Sequence, residues 1–298
     1  MTFNATHPFI AVDWGTSSFR AALIAPDGEI LDELMEPKGI LSFKAGEFAP
    51  FLISTCARMT RAGGQSFLLS GMIGSRNGMA EVPYCPCPAT PDDVARAVRW
   101  AVKDRVAITP GLRFETEDVM RGEEIQVFGA AAVLELSEAT IVLPGTHSKW
   151  VNFENGAIIG FNTFMTGEFY SLLAQHSILS KSLPAHSTAF EPQAFLQGIN
   201  MAQSGVNLLN TAFSLRVKSL FDQLHADHAA SYLSGLVIGE ELAAMQVQEG
   251  AQLIVVGSQN LTTRYQLALE HLGASVKTLG SQAAWAGLHQ VYLALARQ

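Results

Sequence analysis

The chain has 298 residues, which is enough for two domains or for one large one. Apolar residues make up 48% of it and charged residues only 15%, so it can bury a sizeable core, and this composition argues against disorder. The net charge is −8 without a basic stripe, which argues against nucleic-acid binding, while the low charged fraction leaves a homo-oligomer open.

The N-terminal segment predicts three consecutive antiparallel strands. Apolar runs at residues 9–12, 19–25 and 30–34 are separated by two turns, a small-residue turn at 13–18 and a Pro-Asp-Gly-Glu turn at 26–29. Turn chemistry between short β-branched and apolar runs is a hairpin signal. A strand, and not a helix, therefore follows the small-residue turn.

The same device recurs in the middle of the chain. Apolar runs at 140–143, 149–153 and 157–161 are separated by turns at 144–148 and 154–156. Gly15-Thr16-x-Ser18 and Gly145-Thr146-x-Ser148 occupy equivalent places in the two units. An internal repeat bears on the whole architecture, so we expect two similar lobes that face each other across a cleft.

Strands and helices are also predicted outside the repeats. Before the second repeat we expect a buried strand at 66–70, a helix from Pro91 to about Lys103, and a helix capped by Asp118 that reaches about Leu134. After it we expect helices at 208–224, 229–246, 263–272 and 283–296, with a buried strand at 253–257. Strands alternating with helices indicate an α/β lobe.

The two small-residue turns predict phosphate binding. Gly lets the backbone approach a phosphate, and the hydroxyls of Thr and Ser add donors. Asp13 ends the first strand, where a carboxylate would hold Mg²⁺ beside the phosphates, and Arg20 and Lys149 follow the turns and could neutralise charge. Either turn by itself could be an ordinary hairpin turn with a solvent-facing basic residue. The matched pair favours a phosphate clamp.

Several other classes lack their motifs. The sequence has no G-x-x-x-x-G-K-[ST] loop, no strand–G-x-G-x-x-G–helix unit and no G-x-S-x-G elbow. Cys56, Cys85 and Cys87 are too few for a disulfide framework, and Cys85-Pro-Cys87 lacks the second ligand pair of a structural zinc site. With no secretory pattern and no run long enough for a membrane span, we expect a soluble, cytoplasmic protein that binds no membrane.

Longer motifs carry a resemblance to known families. Asp13-x-Gly-Thr-Ser, the Gly145-Thr146 turn and Val255-Val256-Gly257 resemble the two phosphate motifs and the adenosine motif of the actin/hexokinase/Hsp70 ATPase superfamily. Five longer segments, spread over nearly the whole chain, together resemble the 2-dehydro-3-deoxygalactonokinase family: residues 69–78, 81–84, 118–124, 143–150 and 164–168. Two departures are Gly257-Ser258-Gln259 in place of a double glycine and Met79 in place of an aromatic residue.

The resemblance implies a fold and an activity. The fold is the two-lobed, actin-like (ribonuclease H-like) α/β ATPase fold, with a duplicated hairpin-rich sheet core and an interlobe cleft. Residues 1–134 form the first lobe, residues 135–280 the second, and a final helix at 281–298 packs back on the first. The family transfers the γ-phosphoryl group of ATP, with Mg²⁺, to the terminal hydroxyl of 2-dehydro-3-deoxy-D-galactonate, giving the 6-phosphate in galactonate catabolism.

The resemblance also implies the site residues. Asp118 is expected to be the catalytic carboxylate at a strand end that opens a helix, with Arg121 nearby; Glu123 and Glu124 are the second choices, and Asp118 could equally be a plain helix cap. ATP and phosphate contacts are expected from Asp13, Gly15, Thr16, Ser17, Arg20, Gly145, Thr146, His147, Ser148, Lys149 and Gly257. Substrate contacts are expected from Arg76, which would bind the carboxylate, and from Asn77, Glu81, Tyr84, Thr166 and Glu168.

Structural roles remain open for several of these residues. Arg76-Asn77-Gly78 could be an ordinary turn, Tyr84 a core or interface aromatic, and residues 166–168 a helix cap. His147 could be a solvent-facing turn histidine. Two other functions also stay open: a kinase of another sugar or sugar acid on the same fold, and a non-catalytic sugar sensor or filament-forming ATPase.

Overall fold

The computed structural model describes residues 6–64, 66–184, 186 and 189–298. The strands in these residues are β1 (Phe9–Trp14), β2 (Phe19–Ile24), β3 (Ile30–Glu36), β4 (Phe67–Ser70), β5 (Cys85–Pro86), β6 (Arg99–Val102), β7 (Val106–Ile108), β8 (Leu112–Phe114), β9 (Asp118–Met120), β10 (Glu138–Leu143), β11 (Ser148–Glu154), β12 (Ala157–Phe164), β13 (Gln252–Gly257) and β14 (Ser275–Gly280).

Helices alternate with these strands along the chain. The α-helices are α1 (Phe48–Thr55), α2 (Ala57–Arg61), α3 (Pro91–Arg96), α4 (Glu123–Val133), α5 (Thr166–His176), α6 (Pro192–Ala202), α7 (Leu208–Thr211), α8 (Phe213–Leu220), α9 (Ala229–Ala244), α10 (Gln259–His271) and α11 (Ala283–Ala296). Short 3₁₀ helices occupy Ile40–Ser42, Met72–Gly74, Ile178–Ser182 and Ala226–His228. Within the described ranges, every helix is too short or too polar to cross a membrane.

The chain divides into two compact units. The first unit comprises Met1–Ile141, Val151–Asn162 and Leu279–Gln298. The second comprises Val142–Trp150 and Thr163–Thr278. The C-terminal helix α11 therefore belongs to the first unit, where it packs against α3 and α4.

A six-stranded sheet, in the order β3-β2-β1-β4-β7-β6, forms the centre of the first unit. β1, β2 and β3 pair antiparallel, as predicted from the turns, whereas β1, β4 and β7 run parallel. The predicted buried strand at 66–70 is confirmed as β4, all four of whose residues are buried. Parallel strands end at the same edge of a sheet, which is where α/β proteins commonly bind ligands.

A second sheet has the order β12-β11-β10-β13-β14. The order β12-β11-β10-β13 matches β3-β2-β1-β4 in the first sheet, so the predicted repeat of the sheet core is confirmed. Residues of β10, β11 and β13 share a hydrophobic core with α6, α9 and α10. The predicted strand at 253–257 and the helices at 229–246 and 283–296 are confirmed as β13, α9 and α11.

The helix predicted from Pro91 to about Lys103 is wrong beyond Arg96. Thr90 and Asp93 form a capping box that begins α3, but the chain then enters β6, which pairs antiparallel with β7. Val98, Trp100 and Val102 alternate with other residues, a period of two that suits a strand. Pairing with a buried neighbour overrode the imperfect helical pattern.

The helix predicted to begin at Asp118 is also wrong. Asp118 opens the short strand β9, and α4 begins at Glu123. Gly122 separates the two elements with φ +105°, a backbone conformation that glycine adopts readily. Asp118 therefore does not lie at a strand end that opens a helix; Arg121 and Gly122 occupy that place.

Two helices of the second unit differ from their predicted bounds. The helix predicted at 208–224 is divided into α7 and α8 and ends at Leu220. The helix predicted at 263–272 begins earlier, at Gln259, directly after the end of β13. In both regions the apolar pattern located the helix, but its ends depend on tertiary packing.

Candidate active site

The turn between β1 and β2 is supported from both sides. The backbone N–H of Gly15 donates to the carbonyl of Ser18 at 2.9 Å, and Ile40 donates to the carbonyl of Gly15 at 3.0 Å. Gly39 packs so closely on Thr16 that a Cβ at position 39 would overlap the backbone of Thr16. The side chains of Thr16 and Ser17 are exposed. The turn is thus held in place by its surroundings, while Thr16 and Ser17 at its tip are exposed to solvent.

An aromatic cluster lies under this turn. Trp14 is completely buried, and its ring is in contact with Phe19, Phe43, Phe48 and Phe51 at centroid distances of 4.8–5.6 Å. Trp14 Nε1 also donates to the carbonyl of Lys38 at 3.2 Å. Edge-on aromatic packing of this kind holds a backbone position through many small contacts.

Asp13 and Arg20 form an ion pair at the end of β1. Arg20 Nε lies 3.2 Å from Asp13 Oδ2, and Arg20 Nη2 contacts the same oxygen. Arg20 Nη1 donates to Ser281 Oγ at 2.7 Å, and the guanidinium lies over the ring of Trp285. An open pocket of about 570 Å³ is lined by Asp13, Ser18, Arg20, Glu33, Leu34, Met35, Ser281 and Gln282. The pocket is therefore lined by the negative charge of Asp13 and the positive charge of Arg20.

The side chains that line this pocket fit Mg²⁺ only if substrate phosphates and water supply most of its ligands. Within the described ranges, no group of three or more acidic, histidine or cysteine side chains could hold a metal ion. Mg²⁺, however, is commonly held by one or two carboxylates together with water and substrate phosphates. Asp13 Oδ2 contacts Arg20, whereas Oδ1 faces Gly71. One carboxylate is thus in position for an ion that enters with its phosphates.

The turn between β10 and β11 lies against the start of α5. The N–H of Glu168 donates to the carbonyl of Thr146 at 3.0 Å, and Gly167 packs directly on Gly145. His147 Nε2 lies 2.6 Å from Glu168 Oε2, and both side chains are partly exposed. α5 begins at Thr166, so residues 166–168 form its first turn, and the interpretation of them as the cap of a helix is wrong.

Lys149 does not face solvent, although the alternative interpretation of this turn as an ordinary hairpin predicts that it does. It is buried, and its Nζ donates to Thr163 Oγ1 at 2.6 Å. Gly257, at the end of β13, lies beside the same turn, where a Cβ would meet Pro144 at 3.7 Å. The turn is therefore flanked by α5, β12 and the end of β13, while Thr146 and His147 stay exposed.

A buried hydrogen-bond network supports this second turn. Glu241 of α9 accepts from Trp150 Nε1 at 2.7 Å, from the hydroxyl of Tyr265 at 2.7 Å and from the hydroxyl of Thr166. Ser148 in turn shares a hydrogen bond of 2.8 Å with Tyr265. Burial raises the pKa of Glu241, and the hydrogen bonds that it accepts oppose this rise. Thr166, expected to contact substrate, directs its hydroxyl into this network.

Sequence analysis missed Glu241 and Tyr265. The available signal was the pair Glu240-Glu241 inside the otherwise apolar helix at 229–246. A carboxylate on the buried face of such a helix needs partners, but the sequence does not say which. A small apolar pocket of about 80 Å³ adjoins the network, lined by Gly145, Thr166, Gly167, Tyr170, Ser234, Val237, Ile238, Leu261, Arg264 and Tyr265.

The loop after β4 presents the expected acceptor residues unequally. Arg76 is 86% exposed at its side chain, and its Nε lies 2.9 Å from Glu81 Oε1. Asn77 is exposed as well, and Tyr84 is 38% exposed. An exposed ion pair contributes little binding energy because water and salt screen it. This loop is well placed for solvent contact, but Arg76 is already paired.

The residues that join β9 to α4 are mostly buried. Arg121 is only 9% exposed; its Nη2 donates to the carbonyl of Val82 at 2.7 Å, and its guanidinium lies 4.3 Å from the ring centroid of Tyr84. Glu124 is completely buried and accepts from the N–H of Gly122 at 2.7 Å. Burial, together with the nearby Glu123, raises the pKa of Glu124 to about 8.

The sheet edge brings Asp13 close to the start of α4. A Cβ on Gly71 would lie 3.3 Å from Asp13 Oδ1, and a Cβ on Gly122 would lie 3.1 Å from Gly71 Cα. Glycine at 71 and 122 therefore lets the end of β4 and the start of α4 approach each other beside Asp13. Glu123 is partly exposed on this first turn, and its Oε2 accepts from the N–H of Arg121 at 2.9 Å.

Comparison with known proteins identifies the family. The model of the 2-keto-3-deoxy-galactonokinase family matches residues 13–291. The chain belongs to this family. Two curated relatives carry the related names "Probable 2-dehydro-3-deoxygalactonokinase DgoK1", from Rhizobium meliloti, and "2-dehydro-3-deoxygalactonokinase", from Escherichia coli. The first is 37% identical over 94% of this chain and 95% of its own; the second is 31% identical over 98% and 99%.

Comparison with solved structures supports the same fold. A Sinorhizobium meliloti protein, provisionally named a 2-dehydro-3-deoxygalactonokinase, superposes with a TM-score of 0.86 at 35% identity over 95% of this chain and 97% of its own. The activator of the 2-hydroxyisocaproyl-CoA dehydratase from Clostridium difficile, with bound ADPNP, superposes at 0.53 and 10% identity over 97% and 95%. The predicted actin-like ATPase fold and the predicted carbohydrate kinase class are confirmed.

Membership of the 2-keto-3-deoxy-galactonokinase family leaves the role of each side chain to be tested. The first unit brings Asp13, Gly71 and the start of α4 together, and holds Arg20 against Asp13. The second unit brings Gly145, Thr146, Gly257 and Glu168 together. The expectation that both turns bind one nucleotide stays a prediction.

Proposed function

We propose that this kinase transfers the γ-phosphoryl group of ATP to the terminal hydroxyl of 2-dehydro-3-deoxy-D-galactonate and so produces the 6-phosphate in galactonate catabolism. The observation that carries the proposal is the edge where β1, β4 and β7 end. There Gly71 packs against Asp13 and Trp14, directly before the first turn, and Gly122, directly before α4, packs against Gly71. Phosphoryl transfer needs these parts because catalysis depends mostly on positioning and charge.

Each turn is proposed to bind phosphate oxygens. In the first turn, Gly15, Thr16 and Ser17 offer backbone N–H groups and exposed hydroxyls. In the second, Gly145 and Thr146 do the same, with His147 and Lys149 beside them. Gly257 lies next to the second turn, which supports a role for it near the nucleotide. Both turns are held by the surrounding structure, so little entropy is lost when a phosphate binds.

Asp13 is proposed to hold Mg²⁺ that arrives with ATP. The ion would neutralise charge on the phosphates. Arg20 contacts the other oxygen of Asp13 and is anchored by Ser281, so it keeps the carboxylate in a fixed orientation. The arrangement leaves Arg20 close enough to Asp13 to share in charge neutralisation at the same pocket.

Glu123 is our choice for the base that accepts the proton of the attacking hydroxyl. Glu124, with its pKa raised to about 8, is largely protonated at neutral pH and is a poor proton acceptor. Asp118 opens β9, away from the helix start, and its Oδ1 accepts from the N–H of Val119 at 2.8 Å. Glu123 is partly exposed on the first turn of α4, which adjoins Gly71.

An ADP-release assay over a panel of sugar acids tests both the substrate and the base. Wild type should prefer 2-dehydro-3-deoxy-D-galactonate to its gluconate epimer and to plain hexoses; equal rates with hexoses would refute the proposed substrate. Glu123→Gln should lower kcat by about 10²- to 10⁴-fold. Asp118→Asn should stay within a few fold, and Glu117→Gln, a nearby carboxylate, serves as the matched control. If Asp118→Asn is the inactive variant, Asp118 is the base.

A further inference from the structure

Unpartnered polar atoms are concentrated at one place in the first unit. Among the described residues, the buried side-chain nitrogen and oxygen atoms without a hydrogen-bond partner are Ser75 Oγ, Thr109 Oγ1, Arg121 Nε and Nη1, and Glu124 Oε1. Buried polar groups in folded proteins are nearly always hydrogen-bonded, so such a concentration requires an explanation. Ser75 and Thr109 follow β4 and β7 of the six-stranded sheet, whereas Arg121 and Glu124 follow β9, which pairs with β8 in a separate three-stranded sheet.

Two of these residues, Arg121 and Thr109, lie against Gly74. A Cβ on Gly74 would lie 2.8 Å from Arg121 Nη1 and 3.4 Å from the carbonyl oxygen of Thr109, and Ser75 is the next residue in the chain. Any side chain at position 74 would therefore displace the guanidinium of Arg121. Arg121 Nη1 thus lies against the Gly74–Ser75 segment and the backbone of Thr109. We call Arg121, Ser75 and Thr109 the donor cluster.

The side chains of the donor cluster offer mainly hydrogen-bond donors. Arg121 makes one hydrogen bond, to the carbonyl of Val82, and a guanidinium has five N–H groups and no acceptor. Serine and threonine hydroxyls can each donate as well. Burial raises the pKa of Glu124 to about 8, which favours its uncharged form at neutral pH and so weakens its repulsion of an anion. A cluster of donors around a buried cation is suited to a carboxylate.

Arg76 is a weaker candidate for the same task. Its side chain is 86% exposed and already paired with Glu81, whereas Arg121 is 9% exposed. A buried arginine gains more from an anion because water does not compete for its N–H groups. The ring of the partly exposed Tyr84 covers one face of the Arg121 guanidinium.

We propose that Arg121, with Ser75 and Thr109, binds the carboxylate of the acceptor, and that Arg121 rather than Arg76 makes the enzyme select sugar acids over neutral sugars. This inference rests on the proposed function, because it assigns one end of the proposed substrate. Arg121 is then a substrate-binding residue that fixes the orientation of the acceptor.

Kinetics with a neutral analogue tests this assignment. The ratio of kcat/KM for 2-dehydro-3-deoxy-D-galactonate to that for its C1 methyl amide measures recognition of the charge. In wild type this ratio should be large. Arg121→Gln should lower it by about 10- to 100-fold, through a higher KM for the acid, with the amide little affected. Arg121→Lys, which keeps the charge, should fall between the two.

Two further arginine variants decide between the candidates. Arg96→Gln is the matched control, since Arg96 pairs with Asp93 on the surface of the same unit, and it should keep the wild-type ratio. Arg76→Gln should change the ratio less than Arg121→Gln. A wild-type ratio in Arg121→Gln, or a collapsed ratio in Arg76→Gln alone, would overturn the assignment.

A second variant covers the case in which Arg121→Gln does not fold. Gly74→Ala would place a methyl group 2.8 Å from Arg121 Nη1, at the far end of a flexible side chain. It should raise the KM for the acid and leave that for the amide nearly unchanged. An equal KM change for acid and amide would contradict the proposal.

Titration with pyruvate, a small 2-oxo carboxylate, separates this inference from the proposed function. Pyruvate should bind the wild-type protein and fail to bind Arg121→Gln. If wild type does not phosphorylate the sugar acid but still binds pyruvate through Arg121, the proposed substrate fails and the anion site stands. If wild type phosphorylates the acid, binds no pyruvate and keeps its acid preference in Arg121→Gln, water fills the donor cluster and the inference fails.

Discussion

The two small-residue turns occupy the same place in two sheets of matching order, yet they are supported in opposite ways. Under the first turn, Trp14 lies among four phenylalanine rings. Under the second, Glu241 accepts hydrogen bonds from Trp150, Tyr265 and Thr166. The repeated hairpins determine where each turn lies, and different cores can hold it there.

The two kinds of support should respond differently to substitution. An apolar cluster loses contact energy in proportion to the atoms removed and can partly relax. A buried carboxylate network fails more abruptly, because removal of one member leaves several donors without partners. The predictions below test this contrast, beginning with the feature that only the first turn has.

The largest effect is expected at Asp13, the carboxylate that has no counterpart at the second turn. Asp13→Asn should lower kcat/KM for MgATP by about 10²-fold or more, because the variant loses the charge proposed to hold Mg²⁺. Steady-state kinetics over a range of Mg²⁺ concentrations measures it. Asp32→Asn is the matched control, since Asp32 is also paired with an arginine, Arg58, in the same unit. Wild-type kinetics in Asp13→Asn would remove the metal role.

Removal of the carboxylate under the second turn should have the next largest effect. Glu241→Ala leaves the donors of Trp150, Tyr265 and Thr166 unpaired, so the free energy of unfolding should fall by about 3 kcal/mol. Urea denaturation measures this, and the KM for ATP should rise because the turn loosens. Glu240→Ala changes the neighbouring, partly exposed carboxylate and should change little. If both variants lose similar unfolding free energy, the hydrogen-bond network of Glu241 contributes no more to stability than an exposed carboxylate does.

The buried carboxylate of the first unit gives a pH-dependent prediction. The folded pKa of Glu124 is raised from 4.5 to about 8, so the folded state holds a proton that the unfolded state releases. Its contribution to stability is therefore full below about pH 4.5 and is lost as the pH rises towards 8. Between these values the free energy of unfolding should fall as the pH rises, because the unfolded state releases the proton that the folded state keeps on Glu124.

Glu124→Gln provides the comparison for this pH effect. Urea unfolding at several pH values should show a shallower slope in the variant than in wild type across this window. Glu123→Gln, at the partly exposed neighbour, should keep most of the wild-type slope. Identical slopes in wild type and Glu124→Gln would mean that the carboxyl group of Glu124 ionises at its ordinary pKa.

The smallest effect is expected in the aromatic cluster. Trp14→Phe keeps an aromatic ring but loses part of the packing and the hydrogen bond to the carbonyl of Lys38, so it should cost about 1–2 kcal/mol of unfolding free energy. Trp100→Phe, at a 38% exposed tryptophan, is the control. A loss as large as that of Glu241→Ala would erase the contrast between the two supports.

Local sequence signals predicted the parts of the fold that depend on neighbouring residues. The two hairpin repeats, the buried β4 and the helix α11 follow from turn residues and apolar patterns within a few positions. The chain after Arg96 did not form the predicted helix, because β6 pairs with β7 in a tertiary contact that overrode the imperfect helical pattern. The break at Gly122 moved the helix start from Asp118 to Glu123, since only the backbone conformation there shows where the strand ends.

The candidate site was predictable to the same extent. Asp13, Gly15 and Gly145 could be named because their chemistry lies within a short motif. Glu241 could not be paired in advance, since its partners Trp150 and Thr166 are 91 and 75 residues away. Nor could the donor cluster, which unites residues from three separate segments that only folding brings together.

The position of α11 has a consequence for biosynthesis. This helix is made after the whole of residues 142–278, yet it packs against α3 and α4 of the unit that is translated first. Gly129 and Gly287 let the backbones of α4 and α11 touch, so this helix contact cannot form on a partial chain. The partner of Arg20, Ser281, also arrives late. A growing polypeptide on the ribosome therefore lacks Ser281 and Gln282, which line the pocket around Asp13 and Arg20, until residues 142–278 have been synthesised.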